Sequence, residues 1–487
     1  MTSGAFRGRR HQPLCPRPRC GGATAVPDAG RFRAPCRPNR SPGECRSQPV
    51  SPGGFDLSRN PVCGPVPLAV KTRPIRSGGL DRQLIVSTIA LIAFGLAILY
   101  SAGQTDVVSA AYGVWKRQLV WLGIGSVAAI VAFRISPRIL EWLAPGAYGF
   151  ALFLLVLVLA TGTGAGTAAG SKSWLSVAGV HLGQPAELAK LAVILMLARY
   201  LSGLRDPPGT LRELIVPSLI AGVPFFLVLQ QPDLGSALVF IGILFAMLFW
   251  SGVRLSLLFL FVSPVVSLLL AFQTNAWGLW MIFLLVFLLV LRPYVFEGIV
   301  VFVVNAVMGA ILIPVWQRLA PYQQNRLLIF LNPETDPTGA GYHSIQSKVA
   351  IGSGGWLGQG YLQGPQKRLA FLPEQHTDFI FPIVGEELGF VGVFVALMLF
   401  LALLLVLLRI ARRAIDPFAS LVAFGVLGLL FTHVFENVGM TVNLMPITGI
   451  PLPFFSYGGS FFLTSIIGIG LALRVAWDSR FAGYVDV

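Results

Sequence analysis

The sequence predicts an all-α polytopic membrane protein with about twelve transmembrane helices. Hydrophobic residues make up 55% of the chain, charged residues make up only 12%, and the mean hydropathy is +0.74. Because a soluble chain carries about a quarter charged residues, roughly half of the expected charge is missing. From residue 84 onward, apolar runs recur with the length of about 20 residues that spans a bilayer as a helix.

The first 70 residues differ in kind from the rest of the chain. Residues 1–70 are rich in proline, glycine and arginine and contain no long apolar run, which predicts a disordered basic tail able to lie against anionic lipid. An alternative is that translation begins near Val70. All five cysteines lie in this tail, and only Cys15 and Cys20 approach the spacing of a zinc site. No histidine pair follows them, so a metal site is not favoured, and residues 71–487 are predicted to form the membrane domain.

The transmembrane spans are assigned from apolar runs bounded by charged or turn-forming residues. They are predicted at residues 84–102, 118–133, 144–161, 186–202, 214–230, 234–251, 255–272, 276–292, 295–316, 384–409, 419–440 and 455–475. Lysine and arginine concentrate in cytoplasmic loops, and a cytoplasmic N-terminus places most loop cations and both termini inside. The same orientation places a large loop, 317–383, on the extracytoplasmic side.

Two similar motifs, QPAE at 184–187 and QPDL at 231–234, begin the fourth and sixth predicted spans. Proline followed by a carboxylate suits the unpaired N–H groups and positive dipole of a helix N-terminus, which explains Asp233 as a capping residue. Glu187 is followed by Lys190 three residues later, so both lie on one helix face inside the membrane. An intramembrane charge pair is by default a functional-site hypothesis, with a purely structural ion pair as the alternative.

The predicted long loop contains a segment, 332–390, that combines carboxylates, amides, cations and glycines. Apolar and aromatic residues threaded through it favour an ordered, functional loop. Its glycines at 352, 354, 355, 358 and 360 lack the G-K-[ST] sequence of a nucleotide-binding loop, so close backbone packing is expected of them. The spacing of Glu374, His376 and Asp378 could hold a divalent ion, although a lone tripod of this kind is weak evidence.

An outward-facing connection before the fourth span contains Lys172 and Trp174. A cation close to an aromatic ring could hold an anionic, amphipathic ligand at the membrane interface. The competing interpretation is an interfacial tryptophan with a solvated lysine, and taken alone these two residues favour that simpler interpretation.

Four segments together resemble the SEDS family (shape, elongation, division and sporulation), whose members RodA and FtsW polymerise bacterial peptidoglycan. The segments are KSWLSVAGVHLGQPAELAKLA at 172–192, QPDLGSALV at 231–239, the whole of 332–390, and NLMPITGIPLPFFSYGGSFF at 443–462. The resemblance covers about 84–250 and 317–475. The sequences of the last two segments are more similar to RodA, the elongation member, than to FtsW. The family usually has ten spans, which implies that two of the predicted spans, within 252–294, are additional.

The resemblance implies a SEDS-type helical bundle that transfers a glycan from an undecaprenyl diphosphate carrier onto lipid II, at the outer face of the bacterial inner membrane. It implies Asp336 as the catalytic base. The substrate-binding residues that it implies are Lys172, Trp174, Glu187, Lys190, Gln346 and Lys348. Supporting roles are expected of Asp233, Glu374, His376, Asp378 and Glu386. The implied partner is a class B penicillin-binding protein, which supplies transpeptidation.

The chemistry of such a transfer requires few groups. The acceptor hydroxyl must lose a proton as it attacks the anomeric carbon, so a carboxylate base within hydrogen-bond reach is needed. Diphosphate is already a good leaving group, so one carboxylate suffices where a glycosidase uses two. Cations or a bound metal must balance the charge that builds on the diphosphate, and the sequence leaves the requirement for a divalent cation open.

Other functions fit parts of the sequence. A flippase or transporter for lipid-linked precursors would also have many spans, interrupted polar helices and intramembrane charges. Against it, no inverted halves are visible, and most polar residues lie in the outer loop rather than at the membrane midplane. A non-catalytic scaffold for wall-synthesis proteins would leave Asp336 dispensable. Within the family, a role in cell division is the alternative to elongation, and no nucleic-acid partner is expected.

Overall fold

The structure, a computed structural model, describes residues 80–107, 109–162, 173–177, 180–291, 295–318, 324, 341–372 and 374–481. Within that part, a helix coincides with each of the twelve predicted spans. These helices are α1 (Arg82–Ala102), α2 (Val114–Arg134), α3 (Pro137–Thr161), α4 (Pro185–Ser202), α5 (Ile215–Leu229), α6 (Leu234–Trp250), α7 (Leu255–Leu270), α8 (Thr274–Leu291), α9 (Val295–Arg318), α12 (Ile380–Arg413), α13 (Pro417–Thr441) and α14 (Gly459–Phe481). Among the described residues of the predicted long loop there are two shorter helices, α10 (Tyr342–Ser353) and α11 (Pro365–Arg368). The tail predicted to be disordered, 1–70, lies outside the described residues.

Seven of these helices are long and apolar enough to cross a bilayer, namely α1, α2, α3, α8, α12, α13 and α14. Four shorter apolar helices accompany them, namely α5, α6, α7 and the larger part of α9. Helix α4 has the length of a span but carries Glu187, Lys190 and Arg199, so its polar groups must be satisfied by protein neighbours rather than by lipid. The chain is thus a helical multi-pass membrane protein in which α4 is an internal helix.

A short antiparallel hairpin, which the sequence did not predict, precedes α4. Its strands are β1 (Leu175–Val177) and β2 (Val180–Gly183). Apolar and polar residues alternate here over too few positions to separate a strand from a loop in sequence. Gly183 has a positive φ and packs directly against Ser460 of α14. The hairpin therefore places the start of α4 beside the start of α14.

Apolar side chains form two large cores that share α13. One core joins α3, α4, α5 and α6, and the other joins α1, α12 and α14. Helix α13 contributes buried residues to both cores and is mostly buried, whereas α8 is mostly exposed. Helices α7, α8 and α9, here called the three-helix group, close a small third core around Leu260, Leu284 and Val301. The fold therefore has a central α13 and a peripheral three-helix group.

Helix α12 is interrupted at Gly389, whose φ of 61° and ψ of −159° lie outside the helical region. An interruption frees backbone groups, and within a membrane these groups must find new partners. The long loop supplies them. The N–H of Gln359 donates to the Glu386 carbonyl oxygen at 2.9 Å, and the N–H of Phe390 donates to that of Gly355 at 2.9 Å. The loop is therefore built into the helix at its interruption.

Glycines allow the loop to approach the helix this closely. A Cβ at Gly354 would overlap the carbonyl oxygen of Gly385, and a Cβ at Gly358 would overlap that of Glu387. The prediction of close backbone packing is confirmed at these two positions. Gly352, by contrast, faces open space, so its missing side chain serves no contact in the structure.

A buried ion pair fastens the same loop to α12, and a serine hydroxyl joins the first helix to that pair. Lys367 Nζ on α11 lies 2.6 Å from Glu387 Oε1 and 3.0 Å from the Ser101 hydroxyl of α1, which itself donates to Glu387 at 2.6 Å. Both charged side chains are fully buried. The neighbouring Glu386 accepts the backbone N–H of Gln366 at 2.7 Å and so caps α11. Separating the loop from α1 and α12 would leave a buried charge unpaired, which is strongly unfavourable.

Replacing Gly389 by alanine is expected to lower the thermal unfolding midpoint by several degrees. Alanine is strained at this positive φ, and its Cβ would overlap the backbone of Gly358. Gly352→Ala is the matched control because position 352 is helical and faces open space. Tryptophan fluorescence melting curves of the detergent-purified variants measure the effect, and equal midpoints for the two variants would contradict this role of Gly389.

Removing one partner of the Lys367–Glu387 pair is expected to destabilise the protein more than removing both. A buried charge left alone costs about 3–5 kcal/mol, whereas an apolar pair of similar volume can be neutral. Lys367→Met should therefore lower stability strongly, and adding Glu387→Met should restore part of the loss. The exposed pair of Arg368 and Asp106 supplies the control, since Arg368→Met should cost about 1 kcal/mol or less. A double variant less stable than Lys367→Met in thermal unfolding would refute the pairing.

Candidate functional site

Three helices that are distant in sequence begin at one place. The Gln184 side chain, just before α4, donates to Asp233 Oδ2 at 2.5 Å, and the Gln184 backbone N–H donates to Ser460 Oγ at 3.1 Å. Asp233 caps α6 by accepting the N–H of Ser236 at 3.0 Å, and Ser460 lies in the first turn of α14. Helix N-termini carry partial positive charge and free N–H groups. Their convergence favours an anionic group, and the Asp233 carboxylate is one such group at this place.

A fully buried lysine lies in the second turn of α4. Lys190 Nζ is 2.8 Å from Glu187 Oε1, 3.1 Å from His433 Nε2 on α13 and 5.9 Å from the centre of the Phe461 ring. The predicted sharing of one helix face by Glu187 and Lys190 is confirmed. An ammonium group only donates, so His433 Nε2 accepts and its Nδ1 donates to the Pro451 carbonyl oxygen at 3.3 Å. This arrangement contains a neutral histidine and joins α4 to α13.

Two buried carboxyl groups, those of Glu187 and Glu436, accompany the single buried cation Lys190. Glu436 of α13 is almost fully buried and interacts electrostatically with Lys190 and Asp233. Within the described ranges, Glu187 Oε2, Glu436 Oε2 and Asn437 Oδ1 are buried and have no hydrogen-bond donor. Buried acceptors are normally satisfied. These three oxygens therefore lack the hydrogen bonds that buried acceptors normally make.

Two pieces of the long loop contact the end of α13. The Ser347 hydroxyl of α10 donates to the Thr441 carbonyl oxygen at 2.6 Å. Asn437 Nδ2 donates to the carbonyl oxygen of Asp378 at 2.9 Å and to that of Ile450 at 2.6 Å. Because Asn437 follows Glu436 directly, the loop lies beside the charged residues Glu187, Lys190, Asp233 and Glu436. These four residues are here called the charged cluster.

Several predicted site residues meet in this region. Glu187, Lys190 and Asp233 lie in the charged cluster, and Asp378 borders it through its backbone. Trp174, next to β1, is half-buried. The structure therefore brings residues from two separate motifs, QPAE and QPDL, into one place.

Other predicted residues are placed differently or lie outside the described part. Gln346 and Lys348 both lie on α10, where Gln346 is half-buried and Lys348 is exposed. Among the described residues, Gln346 Oε1 has no hydrogen-bond donor. Asp336, the predicted base, and Lys172 lie outside the described residues, so their roles stay predictions.

The predicted tripod of Glu374, His376 and Asp378 immediately precedes α12. The His376 carbonyl oxygen accepts the N–H of Tyr457 at 2.9 Å, which ties the tripod to the chain before α14. Burial lowers the pKa of His376 from its ordinary value of 6.5, and nearby Glu374 opposes this shift. Nowhere in the described ranges do three or more His, Cys, Asp or Glu side chains form a group that could hold a metal ion.

Two charged contacts were not among the predicted site contacts, namely His433 with Lys190 and Lys367 with Glu387. The partners are 243 and 20 positions apart in sequence, so no local spacing connects them. The available signal was the cost of a lone polar group within an apolar span, which demands a partner without naming it. Glu386, predicted as a supporting residue, caps α11.

Comparison with known proteins identifies the family. Residues 82–278 and 265–480 match the model of the FtsW/RodA/SpoVE family, described as cell cycle proteins. The chain belongs to this family. Peptidoglycan glycosyltransferase MrdB of Escherichia coli K12 is 35% identical over 398 residues, which cover 81% of this chain and 93% of MrdB. Peptidoglycan glycosyltransferase RodA of Treponema pallidum is 37% identical over 429 residues, with coverage of 81% and 97%.

Solved structures of similar proteins also match this FtsW/RodA/SpoVE protein. The crystal structure of the Thermus thermophilus rod shape determining protein RodA matches with a TM-score of 0.52 and 28% identity, covering 82% of this chain and 97% of that chain. A structure from a peptidoglycan synthase complex matches with a TM-score of 0.61 and 31% identity, covering 82% and 98%. The resemblance to SEDS proteins, including its helical membrane fold, is thereby confirmed.

The lowered pKa of His376 predicts a pH dependence of stability. A histidine whose pKa is lower in the folded state than in the unfolded chain binds more protons when unfolded, so it reduces stability as pH falls below about 6.5. Between pH 7.5 and pH 5.5, the wild type should therefore lose more thermal stability than His376→Gln. Unfolding midpoints of both proteins at the two pH values measure this difference, and identical losses would rule out a contribution from His376.

Proposed function

We propose that this protein is a peptidoglycan glycosyltransferase that polymerises lipid II into glycan strands during cell elongation. The observation that carries the proposal is the buried cluster around Lys190, where the N-termini of α4, α6 and α14 converge beside the long loop. Positive helix ends suit a diphosphate, and the unpaired acceptor oxygens suit the hydroxyl groups of a sugar joined to it. Relatives named peptidoglycan glycosyltransferase MrdB and RodA support the same activity.

The proposed reaction needs one proton transfer. A hydroxyl oxygen of the acceptor sugar on lipid II attacks the anomeric carbon of the growing glycan and forms the new glycosidic bond. The bond from that carbon to the diphosphate oxygen breaks, and the undecaprenyl diphosphate leaves with the bonding electron pair. The Asp336 carboxylate takes the hydroxyl proton as general base. This assignment rests on the family-like segment 332–390.

Negative charge builds on the leaving diphosphate, and preorganised positive groups would stabilise it. We assign this task to the helix N-termini and to Lys172, with a divalent cation as an alternative source of charge. Lys190 has a different task, because Glu187 and His433 already accept hydrogen bonds from two of its three N–H groups. It balances the charge of the buried carboxylates and holds α4 against α13. The remaining proposed substrate contacts are Trp174, Gln346 and Lys348, and the proposed supporting residues are Asp233, Glu374, His376, Asp378 and Glu386.

The proposed substrates require an enzyme that lies in the membrane. Both are anchored in lipid, so a multi-pass protein whose reactive groups lie close to its helix ends can reach them. We place the protein in the bacterial inner membrane with cytoplasmic termini and an extracytoplasmic loop, as the distribution of loop cations favours. A class B penicillin-binding protein is the proposed partner. One similar structure belongs to a peptidoglycan synthase complex that coordinates polymerization and crosslinking, which supports an assembly of this kind.

Asp336→Asn is expected to reduce the polymerisation of purified, labelled lipid II by about a hundredfold or more, because an amide cannot take the hydroxyl proton. Glu334→Gln is the matched control, since it neutralises a carboxylate two residues away in the same loop and should leave polymerisation near the wild-type rate. Gel separation of the glycan strands, with the partner protein present, measures both. Near-normal polymerisation by Asp336→Asn would overturn its role as base.

A lipid-flipping assay in liposomes separates the enzyme from its main rival. A flippase would move lipid II across the bilayer without forming glycan strands, and that result for the wild type would overturn the proposed function. A scaffold would show neither activity, and cells carrying Asp336→Asn would then grow with normal shape.

A further inference from the structure

An apolar groove of about 340 Å³ runs between α5 and α7 on the outer surface of the bundle. Ser218 and Gly222, one helical turn apart on α5, are half-buried within it, while Leu219 and Phe226 project beside them and are mostly exposed. Phe261 lines it from α7. A Cβ at Gly222 would meet no atom within 4 Å. The groove is therefore an open channel between two helices.

The residue that follows Leu211, the first lining residue of this groove, is a cation. Arg212 is exposed and follows Leu211, which lines the groove ahead of α5. Its guanidinium carbon lies 5.2 Å from the centre of the Phe296 ring on α9, a contact that orients a cation without neutralising it. The adjacent Glu213 accepts the backbone N–H of Gly209 at 2.7 Å. In the part of the chain that the structure describes, no carboxylate forms a salt bridge with Arg212.

The groove has the length of one leaflet. From residue 215 to residue 226, a helix rises about 16 Å, close to half of a hydrocarbon core of about 30 Å. An apolar channel of that length with a cation next to its first lining residue matches a lipid with one acyl chain in the channel and a negative headgroup. Arginine suits a phosphate in particular, because its planar guanidinium can donate two parallel hydrogen bonds.

We propose that this groove binds one anionic phospholipid, with an acyl chain between α5 and α7 and the headgroup phosphate on Arg212. Helix α7 belongs to the two spans that the sequence predicts as additional, so the lipid would fasten the three-helix group to the rest of the domain. The proposal does not depend on the glycosyltransferase activity, because the groove and the charged cluster share no residue.

Native mass spectrometry of the full chain in detergent tests the headgroup contact. The protein is mixed with equal amounts of phosphatidylglycerol and phosphatidylcholine that carry the same acyl chains. The wild type should retain one phosphatidylglycerol in preference, and Arg212→Gln should lower that preference about fivefold, as expected for the loss of one basic residue at a membrane surface. Arg138→Gln is the matched control, because it removes an exposed arginine from the start of α3.

Filling the groove tests the acyl-chain contact separately. Gly222→Leu should reduce retention of both lipids, whereas Gly146→Leu, at an exposed glycine of α3 that also faces open space, should not. An unchanged headgroup preference in Arg212→Gln, or unchanged retention in Gly222→Leu, would overturn the proposal. So would a Gly222→Leu protein that keeps its lipid but loses self-association, since the groove would then seat a helix. The two variants act independently, so misfolding of one leaves the other as a test.

Discussion

The arrangement of this membrane domain depends on how one buried charge is satisfied. Lys190 is fully buried on a helix inside the bundle, where an unpaired ammonium would be strongly unfavourable. Glu187 partners it from the same helix and His433 from α13, so α4 must lie against α13. The stacking of His433 on Phe461, with ring centres 4.1 Å apart, adds α14 to the same contact. The Lys190 contacts therefore hold α4, α13 and α14 together, and two of these helices, α4 and α14, supply converging N-termini.

Buried backbone groups of α12 also need partners, and the long loop supplies them. The interruption of α12 at Gly389 frees carbonyl and N–H groups, and the loop supplies their partners at distances of 2.9 to 3.2 Å. The buried pair of Lys367 and Glu387 then adds a charge that can be satisfied only when the loop is in place. A loop held in this way is part of the membrane domain, so the residues that it brings to the end of α13 are positioned rather than free.

The three-helix group shows how the fold can carry additional helices without disturbing the site. Its polar groups pair among themselves: Asn305 donates to Ser263 Oγ at 2.8 Å and accepts from Trp280 at 3.3 Å. These groups are neutral, and they make no demand on the charged cluster. The group can therefore lie at the periphery, where α5 and Phe261 of α7 line the apolar groove.

By itself the sequence determined the class of the protein, the positions of twelve helices and the pairing of Glu187 with Lys190. Those features are local, because the length of an apolar run and a spacing of three residues can be read directly along the chain. The family resemblance added Asp336, which stays a prediction. Only the tertiary structure decided that Lys190 meets His433, that Lys367 meets Glu387 and that a hairpin precedes α4. The bilayer penalises every unpaired polar group alike, so it requires that partners exist, while the packing of distant helices decides which partners they are.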